Sequence, residues 1–449
     1  MSVSTSHPRL RLLPLLIAMG VGSMAVSVQA QSLVDLYTAA RGYDATYQSA
    51  KLQFDATQAK ADQAQALLLP TVGLSANINQ INQDTQKPVS NNYNYNSQSA
   101  TLGLSQPLYR PGNFASYEQG KKGAELAQAQ LAAAEQDLIV RVSQAYFDVL
   151  ASSDTLEVVK TQKTAVGEQL ASAKRNFEVG TSTITDSREA QARYDLVVAQ
   201  QLAAENDLMV KKLALNTVVG QANAQPKPLA VPVVLNAVQP ADVALWVDQS
   251  QVNHPGVVQA ELALQVAKLE TAKAEAGHKP TLDLTASYTA AGTNNGTATL
   301  ANVDTRGNQA AVGLSFNLPL FAGYAIQNRV KETLALEGKA RSDLEAARRT
   351  VAQATRTAYV GVQSGQAQVK ALEAAEASSQ SALDANKLGY QVGVRINIDL
   401  LNSQSQLFDT KAKLAKARYD VLMGGLKLRQ ANGSLKADDL QAINQQLAP

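Results

Sequence analysis

Apolar positions along the chain fall into two periods that succeed one another in a fixed order. From Leu33 to Leu69 they follow a helical period in an Ala- and Gln-rich segment that stops at Pro70. The period then drops to two. Val72, Leu74, Ala76 and Ile78 alternate with Gly73, Ser75, Asn77 and Asn79, which predicts a strand with one apolar and one polar face. Gln80 to Gln98, rich in Asn, Gln and Ser and without apolar periodicity, is expected to be a loop. Ala100, Leu102 and Leu104 alternate with Thr101, Gly103 and Ser105 as far as Pro107, so 71–107 reads as a β-hairpin whose second strand Pro107 ends. Proline is then absent from Asn113 to Phe177, where Val142, Val149 and Leu156, Val159 and Val166, and Leu170 and Phe177 stand seven residues apart. A helix of about 60 residues is about 90 Å long, beyond any ordinary globular helix.

The whole order then recurs. A turn at Phe177-Glu178-Val179-Gly180 leads to Asp186 and a return helix, 186–219, that stops at Gly220. A proline-rich linker (Pro226, Pro228, Pro232, Pro240) follows within 221–250. The second copy has a helix from about Asn253 to Gly277 and Pro280 in the place of Pro70. Two further alternating runs within 281–319 flank an expected loop from Gly292 to Asn308, the second ending at Pro319. A long helix, 325–388, and a turn at Tyr390-Gln391-Val392-Gly393 lead into a helix, 399–431, with the heptad stripe Leu400, Leu407, Leu414, Val421 and Leu428. Gly180 and Gly393 are 213 positions apart (393 less 180), and Asp186 and Asp399 keep the same spacing, as do Gly220 and Gly433. The chain therefore divides into repeats at 31–220 and 251–433 and a polar tail, 434–449, expected to pack beside the linker or to be disordered.

Composition narrows what such a chain is for. Aromatic residues make up only 5%, which favours long, thinly packed helices over a thick core. Arg9 and Arg11 precede an apolar run, Leu12 to Val28, broken by Pro14 and closed by Val28-Gln29-Ala30. Residues 1–30 read as an export signal cleaved after Ala30; the alternative is a membrane anchor, for which the run is short. Later segments lack a long apolar stretch. Cysteine is absent, which removes disulfides, thiolate metal sites and Cys nucleophiles. Net charge is +2, from 40 basic and 38 acidic residues, and becomes zero without Arg9 and Arg11, so no basic field points to nucleic acid. His254 and His278 lie about one helix apart with no ligand-spaced partners, and no nucleophile motif or phosphate loop is present. No cofactor, metal or catalysed reaction is expected.

An apolar strand face on an exported chain without membrane-spanning helices suggests lipid, and lipid demands a closed barrel. Four strands cannot close, because about eight is the practical minimum. Sharing the barrel among three chains would supply twelve. The polar faces, with Gly73, Ser75, Asn77, Thr285, Ser287 and Asn317, would then line a lumen. A soluble sandwich lying on helices would also alternate, but these helices are far too long for so small a sheet.

Two copies of helix, hairpin, long helix, turn and return helix carry Pro107-Leu108-Tyr109 and Pro319-Leu320-Phe321 after the hairpins, the pairs Ala145-Tyr146 and Ala358-Tyr359, and the turn from Tyr390 to Asn402. In this order the chain resembles the TolC family of outer-membrane channels over essentially its whole mature length. The resemblance implies a mainly α fold with a small β part. It implies a homotrimer, with a twelve-stranded barrel in the outer membrane of a Gram-negative bacterium and a helical tunnel across the periplasm. It further implies an exit duct for a tripartite efflux pump or type I secretion system, opened when a periplasmic adaptor protein and an inner-membrane pump (RND, ABC or MFS type) dock.

Residue by residue, Asp399 matches an aspartate that rings the closed entrance in this family, and Asn402 stands where a second such aspartate is found. Arg395 and Tyr390 match residues that hold the closed coil against a neighbouring protomer, and Thr185 and Asp186 match their partners. Three Asp399 carboxylates converging on an axis would favour cations at the mouth, and a neutral Asn402 would halve that charge. The plainer readings are that Asp186 and Asp399 cap helices and that Arg395 is a solvated loop arginine. A trimeric coiled-coil spacer or adhesin would explain the heptads without explaining the two hairpins. An independent porin would need many more strands per chain.

Overall fold

The computed structural model describes residues 30–86, 91–230, 232–233, 235, 237–297, 300 and 302–448. The expected export signal, apart from Ala30, lies outside the described residues. In chain order the elements are α1 (Leu33–Tyr43), α2 (Ala45–Ala66), β1 (Thr71–Thr85), β2 (Asn91–Tyr109), α3 (Pro111–Glu178), α4 (Ile184–Val219), α5 (Val243–Asn253), α6 (Pro255–Glu275), β3 (Thr281–Asn294), β4 (Thr305–Asn317), α7 (Ala325–Gln391), α8 (Asn397–Asn432) and α9 (Asp439–Asn444). The chain is mainly helical with one small antiparallel sheet, laid out twice.

The segment expected as one helix from Leu33 to Leu69 is two, because Asp44 ends α1 and caps α2. Its carboxylate accepts from the Tyr47 backbone N–H at 2.8 Å and from both terminal nitrogens of Arg141, at 2.8 and 3.0 Å. That guanidinium holds the buried Asp44 carboxyl below the usual carboxylate range. In the second copy His254 plays the same part: its Nδ1 accepts from Gly256 N–H at 3.0 Å at the start of α6, and burial pushes its pKa down. At 68 and 67 residues, α3 and α7 are each about 100 Å long at 1.5 Å per residue. Every member of the α8 heptad stripe, Leu400, Leu407, Leu414, Val421 and Leu428, is buried.

The strands run further than the apolar pattern indicates. The stretch expected as a loop, Gln80 to Gln98, is strand on both sides of 87–90, with register kept from Ile81↔Tyr95 to Thr85↔Asn91. Its Asn, Gln and Ser side chains need no buried face, since cross-strand backbone hydrogen bonds hold the ribbon. The second hairpin loop is likewise shorter than Gly292 to Asn308, because pairing persists to Thr293↔Thr305. Pro107 does not end β2, which continues to Tyr109 through a register shift. β1 has already ended there, at Thr71↔Ser105, so the missing N–H faces no neighbour. β4 does stop two residues before Pro319.

The sheet order is β1-β2-β3-β4, with the two copies joined where Thr101 and Thr289 hydroxyls meet at 2.9 Å. Val72, Leu74, Ile78, Leu102, Tyr288, Val312, Leu314 and Phe316 share one face, and Ile78, Val312 and Leu74 are 82%, 78% and 75% exposed. Where the sheet meets the helices, Arg110 clasps Asp283 through two nitrogens at 2.7 and 2.6 Å.

The main core sits midway along the helices. Tyr37, Leu138, Ile139, Tyr146, Phe147 and Leu215 pack there with Tyr419 and Met423 of the second copy. The tail after Gly433 joins this core through Leu435, Leu440, Ile443 and Leu447. Ala448 N–H donates to Pro228 O and Ala230 N–H to Gln446 O, both at 2.8 Å, so the tail is laced to the linker. Both repeat tyrosines end on that linker: the Tyr146 hydroxyl donates to Lys227 O at 2.8 Å and the Tyr359 hydroxyl to Ala241 O. Among the described residues, no helix is long and apolar enough to cross a membrane.

Candidate functional site: the paired hairpin tips

Far from the sheet, α3–α4 and α7–α8 each reverse direction in a short turn, and the two turns lie side by side. Their backbones match. Gly180 and Gly393 take φ of +77° and +78°, a left-handed conformation that L side chains adopt only with strain. The Thr181 and Ser182 amides donate to Asn176 O at 2.8 and 3.2 Å, and the Val394 and Arg395 amides donate to Gly389 O at 2.9 and 3.1 Å. These positions correspond one to one at the 213-residue spacing.

The side chains diverge. In the first tip Thr183 caps α4. Its hydroxyl accepts from Asp186 N–H at 3.2 Å, and the Asp186 carboxylate accepts from Thr183 N–H at 2.9 Å and from its hydroxyl at 2.8 Å. This reciprocal box satisfies two helix-end donors. Asp186 is thus the third residue of the helix rather than its cap. In the second tip the corresponding N-cap is Ile396, which has no side-chain oxygen to offer. Asp399 is left to pair with Arg395 of the same chain, at 3.5 Å on a largely exposed surface. Gly389 makes room for that arginine, because a Cβ there would lie 2.7 Å from Arg395 Cγ.

Four hydrogen bonds join the tips within one chain. Asn176 Nδ2 donates to the Tyr390 hydroxyl at 3.4 Å, Arg193 Nη2 donates to Asn402 Oδ1 at 2.9 Å, and Asn397 bonds to both Gln169 and Asp186. Beneath them Leu170, Ala173, Ala190 and Leu401 are buried together. The sequence-derived residues Tyr390, Arg395, Asp399, Asn402, Asp186 and Gly393 therefore gather in one region with Gly180, and Thr185 is exposed in the first turn of α4. Within one chain Arg395 meets Asp399. Asn176, Gly389, Arg193 and Asn397 escaped sequence reasoning; Asn397 alone left a trace, as a polar residue in the run Ile396-Asn397-Ile398. Among the described residues no group of three His, Cys, Asp or Glu side chains could hold a metal ion.

An open-edged amphipathic sheet on two long helical hairpins, one from each repeat, is the fold shared by outer-membrane channels of known structure. The chain belongs to the outer membrane efflux protein family, whose model matches residues 36–221 and 246–434. It is 32% identical over 434 residues to outer membrane protein TolC of Vibrio cholerae, covering 97% of this chain and 98% of that protein. It is 29% identical over 423 residues to the alkaline protease secretion protein AprF of Pseudomonas aeruginosa, covering 92% and 87%. The crystal structure of the Campylobacter jejuni CmeC outer membrane channel superposes with a TM-score of 0.76 at 16% identity over 98% of both chains.

Proposed function

We propose that the protein is the passive exit duct of a tripartite efflux pump or type I secretion system. Three copies join their sheets edge to edge into a twelve-stranded barrel, and the hairpins continue it as a helical tunnel with the tips as its periplasmic gate. The observation that carries this reading is the sheet: both edges, β1 and β4, are open, and its most apolar face is exposed. In water that face is unstable and the edges are adhesive, whereas in lipid a closed barrel satisfies both. The names of the relatives support efflux and protease secretion alike.

In this reading Asp399 rings the entrance, and Arg395 and Tyr390 reach Asp186 and Thr185 of a neighbouring protomer. The Arg395–Asp399 pair of the single chain is exposed enough to exchange partners at little cost. A periplasmic adaptor and an inner-membrane pump supply recognition and energy. Purified protein reconstituted in planar bilayers should give discrete, low-conductance channels and run as a trimer by native mass spectrometry. A monomer that leaves the bilayer silent would reject the duct in favour of an envelope spacer.

A further inference from the structure

Asn397 is a buried asparagine at the start of a helix whose buried side is mostly apolar. It is 1% exposed, while its counterpart 213 positions earlier, Ile184, is 49% exposed. The two repeats therefore exchange burial and polarity at this position. A buried amide is tolerated only when its hydrogen bonds are made, and both ends of this one are used. Oδ1 accepts from Gln169 Nε2 of α3 at 2.6 Å, and Nδ2 donates to the Asp186 carbonyl in the first turn of α4 at 3.4 Å. One side chain from the second hairpin thus touches both helices of the first. It does so two residues before Asp399 and one after Ile396, where α8 has no side-chain cap of its own.

The geometry points to Asn397 as a latch that holds the second hairpin tip against the first within each protomer, and so as a positioning residue for Asp399. Its bearing on transport rests on the reading of the tips as a gate; the latch itself does not. Asn397→Leu keeps the bulk, leaves Gln169 Nε2 without its acceptor and removes the second donor to the Asp186 carbonyl. That loss should favour separated tips by about tenfold.

The chain has no cysteine, so Glu178→Cys and Gln391→Cys, at corresponding exposed places on the two tips, can carry spin labels in the full-length assembled protein. In Asn397→Leu the distance between labels should lengthen or broaden, and closed-state conductance in planar bilayers should rise about tenfold. Gln169→Leu, which leaves α8 untouched, should give part of the same change and guards against misfolding of the first variant. Combining the two should add little to Asn397→Leu, the signature of one shared interaction. Unchanged label distances in both single variants would overturn the latch. Lengthened distances with unchanged conductance would uphold the latch and reject the gate.

Discussion

Thr183 and Ile396 occupy the same place in the two hairpin tips, and the difference between them separates what duplication preserves from what it releases. The backbone is preserved: glycines at φ near +78°, a shared carbonyl acceptor at Asn176 or Gly389, and an aspartate at the third helical position. The side-chain economy is not. In the first tip the hydroxyl and the carboxylate satisfy one another and the helix end, which leaves Asp186 little freedom. In the second, no hydroxyl exists, and Asp399 turns to the exposed Arg395. A carboxylate that caps its own helix is a fixed acceptor for whatever reaches it, and one released from capping is free to change partners.

The shared backbone makes the largest effects equal. Gly180→Ala and Gly393→Ala should each cost about 1–2 kcal/mol, the price of a Cβ in the left-handed region, read as faster amide exchange in the affected turn. A marked inequality would show that the turns are not backbone equivalents. Thr183→Ala comes next, at about 1 kcal/mol, confined to the first tip. Its mirror, Ile396→Thr, builds the missing box in the second tip and should gain up to about 1 kcal/mol while drawing Asp399 away from Arg395. If Ile396→Thr gains nothing, Asp399 is held by something other than its pair with Arg395.

The smallest change in stability, under about 0.5 kcal/mol, belongs to Arg395→Ala, because the ion pair it removes is solvated. On the proposed gate reading, its effect should appear as raised resting conductance without loss of the assembled species. In the same recordings Asn402→Asp should strengthen block by multivalent cations, less so to the extent that Arg193, 2.9 Å from the Asn402 amide oxygen, neutralises the new charge. No change in either recording would return Arg395 and Asn402 to the ordinary surface.

Acid offers a contrast between the tips and the joint at Asp44. Because Arg141 holds the folded Asp44 pKa below its unfolded value, this carboxylate contributes stability above the ordinary carboxylate range. That contribution is lost as pH falls through the depressed value. Replacing Asp44 by Asn should flatten the acid limb of a melting-temperature profile; an unaltered limb would assign acid sensitivity elsewhere.

Much of this architecture is legible in the sequence because long helices and a repeat leave periodic marks. The heptad stripe from Leu400 to Leu428 is buried throughout, and the 213-residue spacing locates both turns. Features built on single polar residues are harder to read. Asp44 divides a segment whose apolar positions keep the helical period on both sides. In the strand extensions Tyr93 and Tyr95 alternate with Asn92, Asn94 and Asn96, but the asparagines fall on the face that carries Leu74 and Leu102, so the apolar alternation of that face does not continue into them. Pro107 sits in a strand because a neighbouring strand has already ended, a fact of register rather than composition. Asn397 acquires its role only from Gln169 and Asp186, more than 200 residues distant in the chain.

The open sheet has a consequence for how the protein is made. A single newly exported chain carries two unpaired strand edges and an apolar face on which Ile78, Leu74 and Val312 are more than 70% exposed, the features by which extended chains aggregate. In the proposed trimer, biogenesis is a race whose winning step requires encounter between subunits, and it depends on their concentration. A cell that makes the chain slowly faces a longer-lived adhesive intermediate, and the helices, however well paired, give that intermediate no shelter.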